Sequence, residues 1–189
     1  MNRKLMRYTL IGLIVLAAIW AAVPEISKAF GLRAFWPALG TVSEHSVEAG
    51  PCVDEGVTLV VDYGQASKRT TRTTCAVSYG QLDTDTGWNL FAATQMTVEG
   101  TLDYPTGFVC RIAGFPDRRT QDCSHVPGAN AGHWAYFIAT DASGWHYAQV
   151  GAASSHPACG TWQGWRFIPM GETRIRPPRV APETFSCHG

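Results

Sequence analysis

Six cysteines, Cys52, Cys75, Cys110, Cys123, Cys159 and Cys187, all lie downstream of an uncharged apolar run near the start of the chain. No other feature constrains the fold as strongly. An even number of cysteines in an exported domain argues for disulfides, which staple a small, loop-rich scaffold. Sequence alone does not choose among the pairings, but joining sequence neighbours closes the shortest loops. That predicts Cys52 with Cys75, Cys110 with Cys123, and Cys159 with Cys187. Each bridge of that loop size contributes about 3 kcal/mol. Cys187 lies in a tail, so the third pair is the least secured.

The apolar run is a targeting segment. Arg3, Lys4 and Arg7 precede it, residues 8–23 (YTLIGLIVLAAIWAAV) carry no charge, and Pro24 and Glu25 end it. A basic start followed by an apolar stretch is read by the secretion machinery. The positive end stays in the cytoplasm and the rest of the chain is placed outside. The predicted N-terminal hydrophobic helix meets the membrane through residues 6–23. Its length falls between a signal-peptide core and a span of about twenty residues. Ala22, Val23 and Pro24 form no clean cleavage site, and Ser27 and Ala29 form a weaker one. Residues 1–25 are therefore a signal peptide or a membrane anchor. Residues 26–50 read as a spacer whose AFGLRAFWPALG portion is apolar enough to lie on a membrane surface or against the domain.

Residues 51–169 carry the signals of one small domain. Residues 56–63 (GVTLVVDY) read as a strand with Val57, Leu59 and Val61 on one face and Val60 on the other. Residues 68–78 form a second extended run, and the two predict a β-hairpin. Asp83, Thr84, Asp85 and Thr86 are N-cap candidates for a short helix carrying Trp88, Phe91, Ala92 and Gln95, with a stop near Gly100. Strands follow over residues 107–112, 133–140, 145–150 and 160–168, the middle two paired as a second hairpin. The order β-β-α-β-β-β-β predicts an α+β domain, a small and mostly antiparallel sheet with one helix packed on it. Residues 170–189, rich in Arg and Pro, read as an extended, peripheral tail.

These segments resemble a known family. The VTLVVD strand, the helix around residues 87–93, FVCRIAG, HWAYF, WHYAQVG and the closing GWRF are similar to the β-rich C-terminal domain of transcobalamin and intrinsic-factor proteins. That domain also occurs in bacterial surface proteins, and the chain looks closest to secreted ones with a second cysteine in the loop after Cys110. The resemblance covers about 110 residues and implies a β-grasp-like arrangement, a helix resting on a mixed sheet. In the transcobalamin type this domain closes over a cobalamin held largely by a separate helical domain. No segment here reads as such a domain, so no cofactor is carried over.

Fifteen basic and fifteen acidic side chains balance, which argues against nucleic acid as a partner. The aromatic set is the more suggestive feature. Trp134, Tyr136, Trp145, Tyr147, Trp162 and Trp165 fall within about thirty residues. On one exposed face, Trp134, Tyr136, Trp145, Tyr147 and Trp165 would form a platform for a small ligand or an envelope protein. Buried, they would simply fill the core. A second candidate is the loop stapled by Cys110 and Cys123, which would present Arg118 and Arg119 to a protein partner at low entropic cost.

Catalysis has little support. Asp83, Asp85, Asp117 and Asp122 sit in predicted turns, where Asp is favoured for capping. Ser124 beside His125 is not a triad, because geometry rather than adjacency defines one. The pairs Cys123/His125, His156/Cys159 and Cys187/His188 have local metal-ligand spacing, yet oxidation competes for the thiols. The expected function is an extracytoplasmic, non-catalytic binding module, with no cofactor and no metal. A cell-surface interaction or inhibitory protein using the stapled loop is the alternative, and a zinc-dependent enzyme stands third.

Overall fold

The computed structural model describes residues 45–65, 67–128 and 131–187. The expected helix over residues 6–23 lies outside the described residues, as does the spacer up to residue 44. Among the described residues no helix is long and apolar enough to cross a membrane.

Among the described residues there are eight strands: β1 (Val47–Ala49), β2 (Val57–Asp62), β3 (Arg72–Ala76), β4 (Val98–Gly100), β5 (Val109–Ile112), β6 (His133–Ala139), β7 (His146–Tyr147) and β8 (Trp162–Ile168). Six form one sheet in the order β1-β3-β2-β8-β6-β7, and β4 pairs with β5 in a separate two-stranded sheet. β2 and β3 pair as an antiparallel hairpin. β6 and β7 pair likewise, though only over Phe137↔Tyr147 and Ile138↔His146. β2 and β8 run parallel at the centre, with Thr58 opposite Trp162 and Asp62 opposite Arg166. Every residue of β2 and β8 is buried, as a central strand covered on both faces requires. β1 falls in the stretch read as spacer, and β4 was not expected from the sequence.

The main core lies on one face of this sheet. Val57, Leu59 and Val61 from β2 meet Trp134 and Tyr136 from β6 and Trp165 and Phe167 from β8. On the opposite face Val60, Ala139 and Trp162 form a smaller cluster, with Trp145 and Val180 against it. The strand alternation of two residues produces this division.

The expected α+β, β-grasp-like domain with a helix laid on its sheet is overturned. The described domain is mostly β. Helical structure is confined to α1 (Asn89–Ala93) and one 3-10 turn, Ala152–Ser154. Local chemistry explains why the helix stays so short. Asp85 is buried and accepts the N–H groups of Gly80, Gln81 and Leu82, so it closes a turn instead of capping. Thr86 Oγ1 takes the N–H of Asn89. At the other end Gln95 adopts φ of +55°. Its N–H reaches Ala92 O, while the N–H of Met96 reaches Phe91 O at 2.7 Å. These two bonds are the Schellman pattern, which ends a helix through one left-handed residue. The stop is therefore Gln95, and Gly100 lies in β4, paired with Val109.

All three disulfides join the predicted neighbours: Cys52–Cys75, Cys110–Cys123 and Cys159–Cys187. They tie β3 to the loop before β2, β5 to the loop after it, and the loop before β8 to the tail. The tail has no regular secondary structure but is not peripheral. Pro178 is buried, and the Arg179 guanidinium grips the fully buried carboxylate of Asp62. Burial pushes the Asp62 carboxyl up. The Arg179 side chain and the N–H groups of Gly64 and Arg179 outweigh it and hold the group below the ordinary aspartate range.

The exposed Gln95 occupies a left-handed position where Gly carries no steric cost. Gln95→Gly is expected to raise stability by about 0.5 kcal/mol in urea unfolding, and Gln95→Val to lower it. Equal stabilities would show that the helix stop is not set there.

Candidate functional site

Tyr136 on β6 stands directly opposite Trp165 on β8 in the antiparallel register. Their rings stack at 4.6 Å between centroids with an interplanar angle of 17°. This pair lines a cleft of about 260 Å³, together with Trp134, Trp88 and Phe108. Residues 147–152 form one wall and residues 106–109 the other.

Hydrogen bonds outside the sheet position these walls. The N–H of Trp88 bonds Ala152 O at 3.1 Å, and that of Gly87 bonds Ser155 O at 2.9 Å. The start of α1 is thus joined to the 3-10 turn. Gly87 has to be glycine for this approach: a Cβ there would lie 2.4 Å from the Tyr136 hydroxyl. The N–H of Ala148 bonds Tyr136 O at 3.0 Å and carries the β7 side along β6.

The polar edges of the aromatics are unequal. Trp134 Nε1 donates to Phe115 O at 3.3 Å. The Tyr136 hydroxyl donates to Gln163 Oε1. Burial pushes Tyr136 up to about 12, so the phenol stays protonated and remains a donor throughout the physiological range. Trp165 is only 4 % exposed, yet its indole N–H has no protein partner. A buried donor left unpaired costs about 1–3 kcal/mol.

Of the five aromatics singled out in the sequence, Trp134, Tyr136 and Trp165 form no exposed platform: they are buried in the main core and border the cleft from there, while Tyr147 borders it but turns its ring to Phe137 on the opposite face of the sheet. Tyr147 is 49 % exposed and its ring meets Phe137 edge-on at 5.5 Å. Trp145 is not part of it. Its ring lies over Gly164 on the opposite face of the sheet, and its N–H bonds Val180 O at 2.8 Å. Trp88 and Phe108 were missed: Trp88 read as a core helix residue and Phe108 as a strand residue. A cleft formed by segments distant in sequence leaves no local pattern to find.

The stapled loop presents Arg118 and Arg119 at the surface, Arg118 being 82 % exposed. They border an open groove of about 730 Å³ with Glu99, Arg111 and Asp117. Arg111, unremarked in the sequence, is the loop's internal support. It is buried, donates to Pro116 O and Gln121 O at 2.6 Å each, and pairs with Glu99. One side chain thereby ties β5 to β4 and to two points of the loop. Among the weighed metal-ligand pairs, the sulfurs of Cys123, Cys159 and Cys187 are in disulfides, and His188 lies outside the described residues. His125 bonds Asp103 at 2.8 Å rather than Ser124. Among the described residues no group of three or more His, Cys, Asp and Glu side chains is placed to hold a metal ion.

Comparison with family models, curated proteins and solved structures finds no match to the chain. The transcobalamin-type resemblance thus rests on the sequence segments quoted above.

Burial of the Tyr136 phenol gives a pH-dependent prediction. The phenol pKa is raised from 10.0 to about 12 on folding. The stability this contributes is full below pH 10 and is lost as pH rises through the folded value. In a titration followed at 295 nm, Tyr136→Phe should remove a component near pH 12. It should also cost about 1–2 kcal/mol by leaving Gln163 without its donor. An unchanged titration curve would show that burial does not shield the Tyr136 phenol.

Proposed function

We propose that the chain is an extracytoplasmic, non-catalytic binding module whose aromatic cleft takes a small planar ligand bearing a hydrogen-bond acceptor. The observation that carries this reading is the stacked Tyr136–Trp165 pair with its buried, unpartnered indole N–H. That nitrogen is shut off from solvent, so a ligand carbonyl or ring nitrogen would satisfy it as the Trp165 ring shifts toward the cleft, and the aromatic lining supplies apolar contact. The volume of about 260 Å³ falls just under the range of about 300–1,000 Å³ usual for drug-sized ligands. A small molecule or one ring of a larger one fits it.

Three disulfides are consistent with an extracytoplasmic location. The basic, apolar N-terminus favours export, by secretion or by a retained anchor.

Titration of the ¹⁵N-labelled protein with nicotinamide, caffeine and benzamide tests the cleft. The Trp165 indole resonance is expected to shift at millimolar ligand while those of Trp145 and Trp162 stay. If none of the three probes moves Trp165 more than the other indoles, the cleft is not a site for this chemistry.

The stapled loop supports a second reading, an acidic protein surface bound through Arg118 and Arg119. Its support is the fixed backbone that Cys110–Cys123 and Arg111 give two exposed guanidinium groups. Retention on a heparin column should fall in the Arg118→Ala/Arg119→Ala variant, and equal elution would remove this reading.

A further inference from the structure

The opposite face of the sheet carries a different kind of chemistry. There Trp162, Gly164 and Arg166 of β8 meet residues 176–183 of the tail. That segment has no helix or strand. It is held through its carbonyl oxygens by side chains of the sheet and of the β6–β7 turn. Pro177 O accepts from Arg166 Nη1 at 2.9 Å, Val180 O from Trp145 Nε1 at 2.8 Å, and Glu183 O from Trp162 Nε1 at 2.8 Å. The acceptors recur at every third residue. Three residues per turn is the repeat of the polyproline II helix, so one face of such a segment offers every third carbonyl. A bend at Arg179 and Val180 interrupts the run.

Two side-chain sites complete the arrangement. Pro178 is buried in a slot that only glycine leaves open. A Cβ on Gly164 would stand 2.9 Å from Pro178 Cγ and 2.7 Å from the Trp145 ring. Arg179 lays its guanidinium on Asp62, with Nη2 at 2.6 Å and Nε at 2.9 Å, and its backbone N–H adds a bond at 3.0 Å. Proline-rich segments are recognised in this way, by aromatic-lined grooves that suit a preformed extended chain. A carboxylate that takes an arginine in two-pronged fashion adds direction and register.

We propose that this face is a recognition groove for an extended arginine–proline peptide, occupied in cis by residues 176–183. The partner class is a chain carrying Pro-Pro-Arg, read by the Gly164 slot and by Asp62. The tail competes with any such partner at the high effective concentration that a short tether confers. Cys159–Cys187 closes that tether at its far end. The groove is separate from the aromatic cleft, and its reporters are Trp145 and Trp162 rather than Trp165.

The test uses the full chain carrying Cys159→Ser and Cys187→Ser, with a site-specific protease sequence inserted after the exposed Arg174. After cleavage, a fluorescein-labelled synthetic peptide of residues 175–185 (IRPPRVAPETF) is titrated by anisotropy. Saturable binding is expected, with the Trp145 and Trp162 indole resonances shifting and that of Trp165 unmoved. Asp62→Asn in the protein, or Arg179→Ala in the peptide, should weaken binding by about a hundredfold, because one partner of a buried pair is lost. Gly164→Ala should block it. Unfolding of the domain when the tail leaves would show the tail to be part of the core and overturn the proposal. A folded domain without saturable binding, or one indifferent to Asp62→Asn, would overturn it equally. Should the double serine variant not fold, Arg179→Ala in the bridged chain decides. Movement of the Trp145 and Trp162 indoles with the β6 amides intact is expected, and loss of the β6 amide pattern rejects the groove.

Discussion

The parallel pairing of β2 with β8 is the contact on which the rest of the molecule depends. It joins residues about a hundred positions apart in the chain, with Thr58 opposite Trp162 and Val61 opposite Trp165. Parallel neighbours cannot be joined by a tight turn, so everything between them must return the chain to the same end of the sheet. That excursion contains α1, the β4–β5 ribbon, the stapled loop and the β6–β7 pair. Once β8 is inserted, β2 is enclosed on both sides and every residue of both strands is buried. Contacts this distant carry a loop-closure cost, and the three disulfides lower it by restricting the unfolded chain.

A single strand then serves two surfaces. Along β8, Gln163, Trp165 and Phe167 face the main core and the cleft, while Trp162, Gly164 and Arg166 face the tail. A register slip of one residue would exchange the two sets. It would place Gly164 under Tyr136, where a stacking ring is needed, and Trp165 under Pro178, where only glycine fits. The hydrophobic pattern of β2 opposes such a slip, because Val57, Leu59 and Val61 belong to the larger core and Thr58 and Asp62 to polar contacts.

The parts legible in the sequence were those governed by local rules. Alternation in VTLVVD gave Val57, Leu59 and Val61 one face and Val60 the other, as the structure has them, and closure of the shortest loops gave all three disulfides. Local rules failed where tertiary contacts decided the outcome. Asp85 looked like a helix cap but closes a turn around Gly80, and Gln95 stopped α1 in a conformation the sequence does not advertise. Trp145 was grouped with Trp134 and Tyr136, although it comes before β7 and a turn resets the alternation. The tail looked peripheral because its composition lacks strand signals, whereas its docking runs through carbonyls, one proline and one arginine. The cleft was half legible: its sheet aromatics were, and Trp88 and Phe108 from neighbouring segments were not.

The indole N–H groups distinguish the two faces more sharply than exposure does. Trp145 and Trp162 are both satisfied by tail carbonyls at 2.8 Å, while on the same face Arg166 bonds Pro177 O through Nη1 and leaves its Nε without a partner. Trp134 reaches a backbone carbonyl within the core. Trp165 alone among these four is buried without a protein acceptor. Nearly all buried polar groups in native proteins are paired, because an unpaired one costs about as much as several favourable contacts return. Three of the four indoles are satisfied by backbone carbonyls, and the fourth is left without a protein acceptor beside a cleft bordered by stacked aromatics. The missing partner of Trp165 is an acceptor, and the proposed binding role rests on a ligand at the neighbouring cleft supplying it.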